Sequence, residues 1–248
     1  MHAAQPTRSR PAEGPADRLA TVREAIAEAC ERAGRDPCNV RIVAITKGHS
    51  AAVLKTAVGL GLTDIGENRV HEAIVKFDEA VDELSAAGIE RHMVGHLQRN
   101  KVRDAIASFD WIQSVDSIRL ARAISTRAEG QSVNALVQVN VAGETQKYGF
   151  APGVAVESAL EIAELDGVRL RGLMTMAPWT DDTAVIRKAF QDLRRLFEAL
   201  QSQSTGEIPD TLSMGMTNDY EIAVEEGSTM VRLGTVLFGP RPTEAENP

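Results

Sequence analysis

A lysine at the end of a short apolar run is the first candidate for chemistry. The stretch RIVAITKGHS, residues 41–50, predicts a buried strand followed directly by Lys47. Because side chains alternate along a strand, Lys47 shares a face with Val43 and Ile45. Burial or a nearby cation lowers the pKa of such an amine, which can then attack a carbonyl and form a Schiff base. Lys47 is therefore the candidate nucleophile.

Two glycine-bearing turns near the C-terminus are typical of a phosphate site. SMGMTND follows one predicted strand, and RLGT lies in the last one. Glycine lets the backbone approach a ligand, hydroxyl groups donate hydrogen bonds, and a helix N-terminus offers free N–H groups. Turn glycines with a helix N-cap at Thr217 or Asn218 are the alternative interpretation. We expect a phosphate to be bound at these two turns, which carry Ser213, Gly215, Thr217, Gly234 and Thr235.

Strands and helices alternate along the chain, about eight times, with short links between them. Such alternation indicates parallel strands joined by right-handed crossovers, and eight units close most simply into a (β/α)8 TIM barrel. An amphipathic helix beginning near Asp17 precedes the first strand and is extra to the barrel. An open, doubly wound sheet is the alternative, but no GxGxxG opens any predicted helix. In a closed barrel, Lys47 and the two turns lie on the same face.

The domain boundaries follow from composition. Residues 1–16 are predicted to be a disordered leader, residues 17–241 a single barrel domain, and residues 242–248 a polar tail.

Composition excludes several classes of function. The net charge of -8 and an aromatic content of 4% argue against a nucleic-acid-binding protein. No apolar run approaches the length of a membrane span, so we expect a cytoplasmic protein. Cys30 and Cys38 have neither the spacing nor the partners of a metal site or a redox dithiol.

Several stretches together resemble the pyridoxal-phosphate homeostasis proteins, whose fold is that of the N-terminal barrel of alanine racemase. The matching stretches run in family order from about residue 40 to 239 and cover nearly the whole predicted domain. They are AITKGHS, DIGENRVHE, HMVGHLQRNK, DWIQSVDSIRLA, LVQVNVAGETQKYG, RLRGLMTMAP and LSMGMTNDYEIAVEEGSTMVRLGTVLFG.

The resemblance implies that pyridoxal 5′-phosphate (PLP) is held as a Schiff base on Lys47, with its phosphate at the two glycine-bearing turns. It places Arg232 at the ring nitrogen, where a guanidinium can only donate, so that the ring is a weak electron sink. Asn68 is either a cofactor-pocket residue or a helix N-cap. The family is regarded as non-catalytic, so the resemblance implies a carrier that buffers PLP and hands it over, with possible transient contact with apo enzymes.

An amino-acid racemase of the same fold is the alternative function. Racemisation needs an acid or base on each face of the cofactor. In alanine racemases, a tyrosine from the partner subunit's C-terminal domain supplies the opposing base, and we expect that domain to be absent here. Of the two tyrosines, only Tyr148 is a candidate for reaching the site, since Tyr220 lies in a predicted helix. A phosphate-binding barrel without Schiff-base chemistry is a further alternative.

The remaining expectations concern single residues and assembly. Gly48 and His49 depart from the residues that follow the lysine in many family members, and His49 is either a pH-sensitive lid residue or an ordinary exposed histidine. Lys147 could accept PLP transiently, although a solvated loop lysine is the simpler interpretation. Without the racemase C-terminal domain, we expect a monomer.

Overall fold

The computed structural model describes residues 14–128, 130–144 and 148–241. Within them, eight parallel strands form a closed barrel in sequence order, and the first strand pairs with both the second and the eighth. The strands are β1 Arg41–Ile45, β2 Asp64–Glu67, β3 Glu90–Met93, β4 Trp111–Val115, β5 Val133–Gln138, β6 Val168–Met174, β7 Thr211–Ser213 and β8 Met230–Leu233. The predicted TIM barrel is confirmed, and the doubly wound alternative is wrong.

Helices follow the strands and cover the outside of the barrel. They are α1 Pro15–Arg32, α2 Ala52–Gly59, α3 Val70–Glu79, α4 Val81–Ala86, α5 Val102–Ser108, α6 Ile118–Arg127, α7 Pro152–Ala163, α8 Thr183–Gln203, α9 Tyr220–Glu225 and α10 Thr235–Phe238. Short 3-10 helices span Pro37–Asn39 and Arg99–Lys101.

The extra helix α1 packs against α9 and α10, next to the point where β8 meets β1. It begins at Pro15, so the last two residues of the predicted leader are helical, and residues 1–13 lie outside the described residues. The Asp17 carboxylate accepts a hydrogen bond from the Gly14 N–H at 3.2 Å, from the third position of the helix. Asp17 therefore supplies one half of a capping box by accepting from the N-cap N–H, while the N-cap residue Gly14 has no side chain to complete it.

Two elements end where the sequence pattern shows no break. The stretch RVHEAIVKFDEAVDELSAAG has the pattern of one helix, but it forms two, α3 and α4, which meet at Ala80. The stretch TMVRLGTVLFG has the composition of one strand, but β8 stops at Leu233 and α10 begins at Thr235. The residues from Thr235 to Phe238 are apolar enough to suit either structure, and β propensity alone cannot separate a strand from a buried helical turn.

A small core fills the inside of the barrel, separate from the larger core between the strands and the helices. Its buried apolar side chains are Val43, Ile45, Trp111, Leu136, Met174 and Met230. Polar side chains share this interior with them: His92, Gln113, Ser213 and Arg232 are all buried. Buried polar groups are costly unless they are hydrogen-bonded, so their partners define what the interior can do.

Among the described residues, no helix combines the length and the apolar composition needed to cross a membrane.

Candidate functional site

A cavity of about 670 Å³ opens at the C-terminal ends of the strands. The loops after β1, β6, β7 and β8 form most of its wall. The polar and charged side chains in that wall include Lys47, Asn68, Thr217, Asn218, Asp219, Arg232, Thr235 and Arg241, and the apolar ones include Ile45, Met176, Trp179 and Ile222. This is the face on which TIM barrels carry their functional groups.

Lys47 lies two residues beyond the end of β1 and lines this cavity. It continues the alternation of Val43 and Ile45, which lie inside the barrel, as the sequence predicted. Burial lowers the pKa of the Lys47 amine below its usual value of 10.5, and the charges of Arg241 and Arg232 lower it further, against an opposing effect of Glu67. A larger fraction of the amine is therefore unprotonated, and nucleophilic, near neutral pH.

Arg232 points into the barrel from β8, level with Val43 of β1. Its guanidinium donates to the Ser213 hydroxyl at 2.6 Å and to the Thr175 carbonyl oxygen at 2.7 Å, and only 5% of the residue is exposed. Burial lowers the pKa of Arg232 to about 10, so the side chain stays charged at neutral pH. Arg232 therefore presents fixed N–H donors to the cavity that it lines.

The two glycine-bearing turns come together on one side of the cavity, where Thr217, Gly234 and Thr235 line the wall. Among the described residues, the backbone N–H groups of these three and of Asn218 donate to no acceptor. These four residues are half-buried or exposed, so their N–H groups are open to a ligand in the cavity. Neighbouring free backbone N–H groups are suited to an anion.

The other two residues expected at this phosphate site lie elsewhere. The Ser213 side chain is wholly buried beneath Arg232, and neither Ser213 nor Gly215 is part of the cavity wall. Gly215 has φ +97°, and a Cβ there would lie 2.6 Å from the Ala223 Cβ and 3.0 Å from the Tyr220 Cα. Glycine at this position is required by the close packing of α9. Direct contact of Ser213 or Gly215 with a ligand stays a prediction.

Asn68 lines the cavity on the side of β2. It is not the N-cap of α3, since that position belongs to Arg69. Its side-chain Oδ1 is buried and, among the described residues, has no hydrogen-bond partner. A buried acceptor that lacks a donor is suited to a ligand hydroxyl or N–H group.

Two residues of the wall carried no signal in the sequence. Trp179, on the loop after β6, is 89% exposed, and Arg241 lies near Lys47. The Arg241 side chain packs on Gly48, where a Cβ would lie 2.8 Å from its Cδ. Loop residues follow no helical or strand period, so no pattern could have indicated Trp179 or Arg241.

His49 is half-buried, and its ring meets the Phe238 ring edge-on with centroids 6.0 Å apart. Burial lowers the pKa of His49, and the positive charges of Lys76 and Arg241 act in the same direction. The expectation of an ordinary exposed loop histidine is therefore wrong. A lid that closes as pH changes stays a prediction.

Neither tyrosine lines the cavity. Tyr148 is 55% exposed and stacks on His96 with ring centroids 3.7 Å apart, whereas Tyr220 is buried in α9. The His96 ring is in turn hydrogen-bonded to Asp116 at 2.8 Å. Tyr148 is thus held over the loops that follow β3 and β4. Lys147 lies outside the described residues.

Comparisons with known proteins identify the family of the chain. The model of the alanine racemase N-terminal domain family matches residues 18–242. The pyridoxal phosphate homeostasis protein of Pseudomonas aeruginosa is 39% identical over 228 residues, which cover 91% of this chain and 95% of that protein.

Two solved structures are similar over nearly their whole length. A protein of unknown function from Bifidobacterium adolescentis superposes with a TM-score of 0.85 at 38% identity, covering 90% of this chain and 94% of that one. PipY of Synechococcus elongatus, solved with PLP bound, has a TM-score of 0.77 at 35% identity, covering 91% of this chain and 100% of that one. The chain belongs to the pyridoxal phosphate homeostasis family, whose barrel is that of the alanine racemase N-terminal domain.

Proposed function

We propose that this protein binds PLP, carries it covalently on Lys47 and hands it over to other proteins without catalytic turnover of its own. The observation that carries the proposal is the half-buried Lys47 amine, which lines a cavity whose wall also holds backbone N–H donors that have no acceptor among the described residues. A phosphorylated aldehyde needs a nucleophile at one end and an anion site at the other. The family of the chain supports the same assignment.

The described residues fit PLP. A volume of about 670 Å³ lies in the range of small-molecule sites, and the wall offers a charged donor, Arg232, for a ring nitrogen. The orphaned Oδ1 of Asn68 is an acceptor for a ring hydroxyl. Thr217, Gly234 and Thr235 would hold the phosphate, with Ser213 and Gly215 shaping the turn behind them.

When bound, PLP would supply an aldehyde that can condense with a primary amine, with loss of one water. Lys47 would contribute that amine, and its lowered pKa keeps part of it unprotonated. Arg232 would donate a hydrogen bond to the ring nitrogen without delivering a full proton, because a guanidinium is too weak an acid. The ring would then be a weak electron sink, which suits storage of the cofactor and does not favour carbanion chemistry.

Turnover as a racemase requires a second acid or base facing the cofactor. Tyr148, the candidate from the sequence, is held by His96 outside the cavity wall. We therefore propose a carrier and retain the racemase as the outcome that an activity assay would have to reveal. Purified protein with PLP should interconvert alanine or serine enantiomers no faster than free PLP does.

The proposal extends to the domain boundaries, the location, the oligomeric state and the partners of the protein. We propose that residues 17–241 act as one cytoplasmic, monomeric PLP-binding barrel, flanked by a leader and a polar tail. Its partners would be PLP and, transiently, apo forms of PLP-dependent enzymes, with no nucleic acid or membrane among them. The net charge of -8 supports the exclusion of nucleic acid.

The direct test is chemical trapping. Protein incubated with PLP is reduced with borohydride, digested and analysed by mass spectrometry, and a pyridoxyl adduct is expected at Lys47. The Lys47→Ala variant should lose both the adduct and the visible absorbance. Lys101→Ala is the matched control, because Lys101 is an exposed lysine on the same face of the barrel. Binding without any adduct would indicate a phosphate-binding barrel instead.

A further inference from the structure

A single chain of hydrogen bonds crosses the inside of the barrel from the cavity to the opposite end. Arg232 donates to the Ser213 hydroxyl at 2.6 Å, and that hydroxyl donates to Gln113 Oε1 at 2.7 Å. The Gln113 Nε2 lies 2.9 Å from His92 Nδ1, and His92 Nε2 lies 2.9 Å from Asp64 Oδ1. All five residues are buried. This chain of hydrogen bonds therefore connects Arg232, in the cavity wall, to the N-terminal end of the barrel without contact with solvent.

The chemistry of the groups fixes the direction of every bond. A guanidinium has donors only, so the Ser213 oxygen accepts from Arg232 and its proton goes to Gln113 Oε1. The Gln113 amide nitrogen then donates to His92 Nδ1, which carries no proton. His92 Nε2–H donates to the Asp64 carboxylate. Burial lowers the pKa of His92, which is consistent with the neutral ring that this order of bonds requires.

Gln113 joins Ser213 to His92, and its amide meets both neighbours with the group each requires: the oxygen accepts from Ser213 and the nitrogen donates to His92. Besides these two polar partners, the inside of the barrel holds apolar side chains, and the Gln113 Nε2 also lies 3.1 Å from the Met230 Sδ. Packing alone would be served by a methionine or leucine of similar size, without the cost of burying an amide. The amide must therefore be explained by the bonds that it makes.

The far end of the chain is neutralised by protein groups. Asp64, Glu90 and His92 bring ligand-type atoms within 4.8 Å of one another. Arg41 lies between the two carboxylates and donates to both. The Arg41 guanidinium thus takes the position that a metal ion would occupy. The cluster of Arg41, Asp64 and Glu90 holds the far end of the hydrogen-bond chain in place.

We propose that Gln113 is a positioning residue for the cofactor. By accepting the Ser213 proton, it turns the Ser213 lone pair toward Arg232, and this holds the guanidinium in the orientation that presents an N–H to the cofactor ring nitrogen. Gln113 does not line the cavity and acts only through Ser213 and Arg232. The inference rests on the proposed function, because it concerns how PLP is held.

The test compares PLP with its analogue in which C–H replaces the ring nitrogen. Dissociation constants of both ligands are measured for the native protein, Gln113→Met, Arg232→Met and the double variant. The native protein should prefer PLP by about tenfold, the value of one charge-assisted hydrogen bond. Gln113→Met should lose most of that preference while binding the analogue as before. The double variant should lose no more of the preference for PLP than Arg232→Met does alone, because Gln113 acts on the cofactor only through Arg232.

Two results would overturn the proposal. One is an equal weakening of both ligands in Gln113→Met, which is the signature of general damage to the barrel. The other is additive loss in the double variant, which would mean that Gln113 does not act through Arg232. Failure of the proposed function looks different, since the native protein would then form no adduct with either ligand.

Ser213→Ala is a smaller change that tests the same proposal if the Gln113→Met variant does not fold. Ser213→Ala removes one oxygen atom and breaks the same chain one step nearer to Arg232. Its preference for PLP over the analogue should fall to the level expected for Gln113→Met. An unchanged preference in Ser213→Ala would overturn the proposal, because the chain would then have no route to Arg232. Circular dichroism and thermal melting confirm the fold of each variant.

Discussion

Lys76 of α3 and Glu67 of β2 form a buried ion pair, Nζ to Oε1 2.7 Å, directly behind the strand end that leads to Lys47. The Lys76 ammonium also donates to the Thr46 carbonyl oxygen at 2.9 Å, and the Thr46 hydroxyl donates to the same Glu67 oxygen at 2.6 Å. These bonds fix the backbone one residue before the proposed nucleophile. The buried Lys76 side chain thus stabilises the backbone position from which Lys47 enters the cavity.

Removal of Lys76 should destabilise the protein strongly. Lys76→Met leaves the wholly buried Glu67 carboxylate without its counter-charge, and breaking such a pair costs about 3 kcal/mol or more. Urea denaturation measures the loss as a lower midpoint. Lys55→Met is the control, because the Lys55–Glu83 pair is largely exposed and contributes little to stability. Equal losses in the two variants would contradict this account of the pair.

The reactivity of Lys47 should depend on Arg241. The Arg241 charge lowers the pKa of Lys47, so Arg241→Gln should raise that pKa and leave less free amine at neutral pH. The rate of PLP capture, followed by absorbance across a pH series, should then have its midpoint at higher pH than in the native protein. Arg99→Gln removes an exposed arginine from the loop after β3 and should leave the midpoint unchanged. A midpoint that stays or falls in Arg241→Gln would contradict the predicted effect.

Stability should fall in mildly acidic solution because of His92. Burial lowers the pKa of His92 against the raising effects of Asp64 and Glu90, with Arg41 acting in the same direction as burial. The unfolded chain takes up a proton near the ordinary value of 6.5, whereas the folded ring resists it. Stability is therefore fully present above that pH and is lost as the pH falls toward the folded-state pKa, by about 1.4 kcal/mol per pH unit.

Two histidine variants separate the contribution of His92 to acid sensitivity from the contributions of other titrating groups. Replacing His92 by Asn should flatten the pH dependence of the urea midpoint between about pH 6.5 and 5, the interval that follows from the ordinary histidine pKa. His71→Asn removes an exposed histidine of α3 and should preserve the native profile. If the His92 variant keeps the native slope, the acid sensitivity has another source.

Trp179 should report occupancy of the cavity. It lines the wall and is 89% exposed, whereas Trp111 is buried inside the barrel. A PLP adduct on Lys47 absorbs where tryptophan emits, so binding should quench the long-wavelength emission of exposed Trp179. In Trp179→Phe most of that quenching should disappear at saturating PLP, because the remaining tryptophan is the buried Trp111. Undiminished quenching in this variant would place the cofactor away from the loop after β6.

The sequence predicts the fold and the centre of the site because both depend on regular periods. Lys47 and Arg232 continue the alternation of their strands, and the pairing of β1 with β8 brings the two strands together. The positions of Trp179 and Arg241 in the cavity wall could not be predicted, because loop residues follow neither the helical nor the strand period. Ser213 was expected at the phosphate, but its strand position places the hydroxyl inside the barrel, where the hydrogen bonds of Gln113 and Arg232 decide its role. Long-range partners of this kind leave no local sequence pattern.

Gly215 offers a test that separates packing from ligand contact. The backbone has φ +97° here, and a Cβ at this position would lie only 3.0 Å from the Tyr220 Cα. An alanine must therefore displace α9 from β7, at a cost of about 1–3 kcal/mol. Gly206→Ala is the matched control, because a Cβ there meets nothing within 4 Å. Urea midpoints should fall for Gly215→Ala alone. Native stability combined with weaker PLP binding in Gly215→Ala would instead mean that this glycine contacts the ligand, as the sequence first suggested.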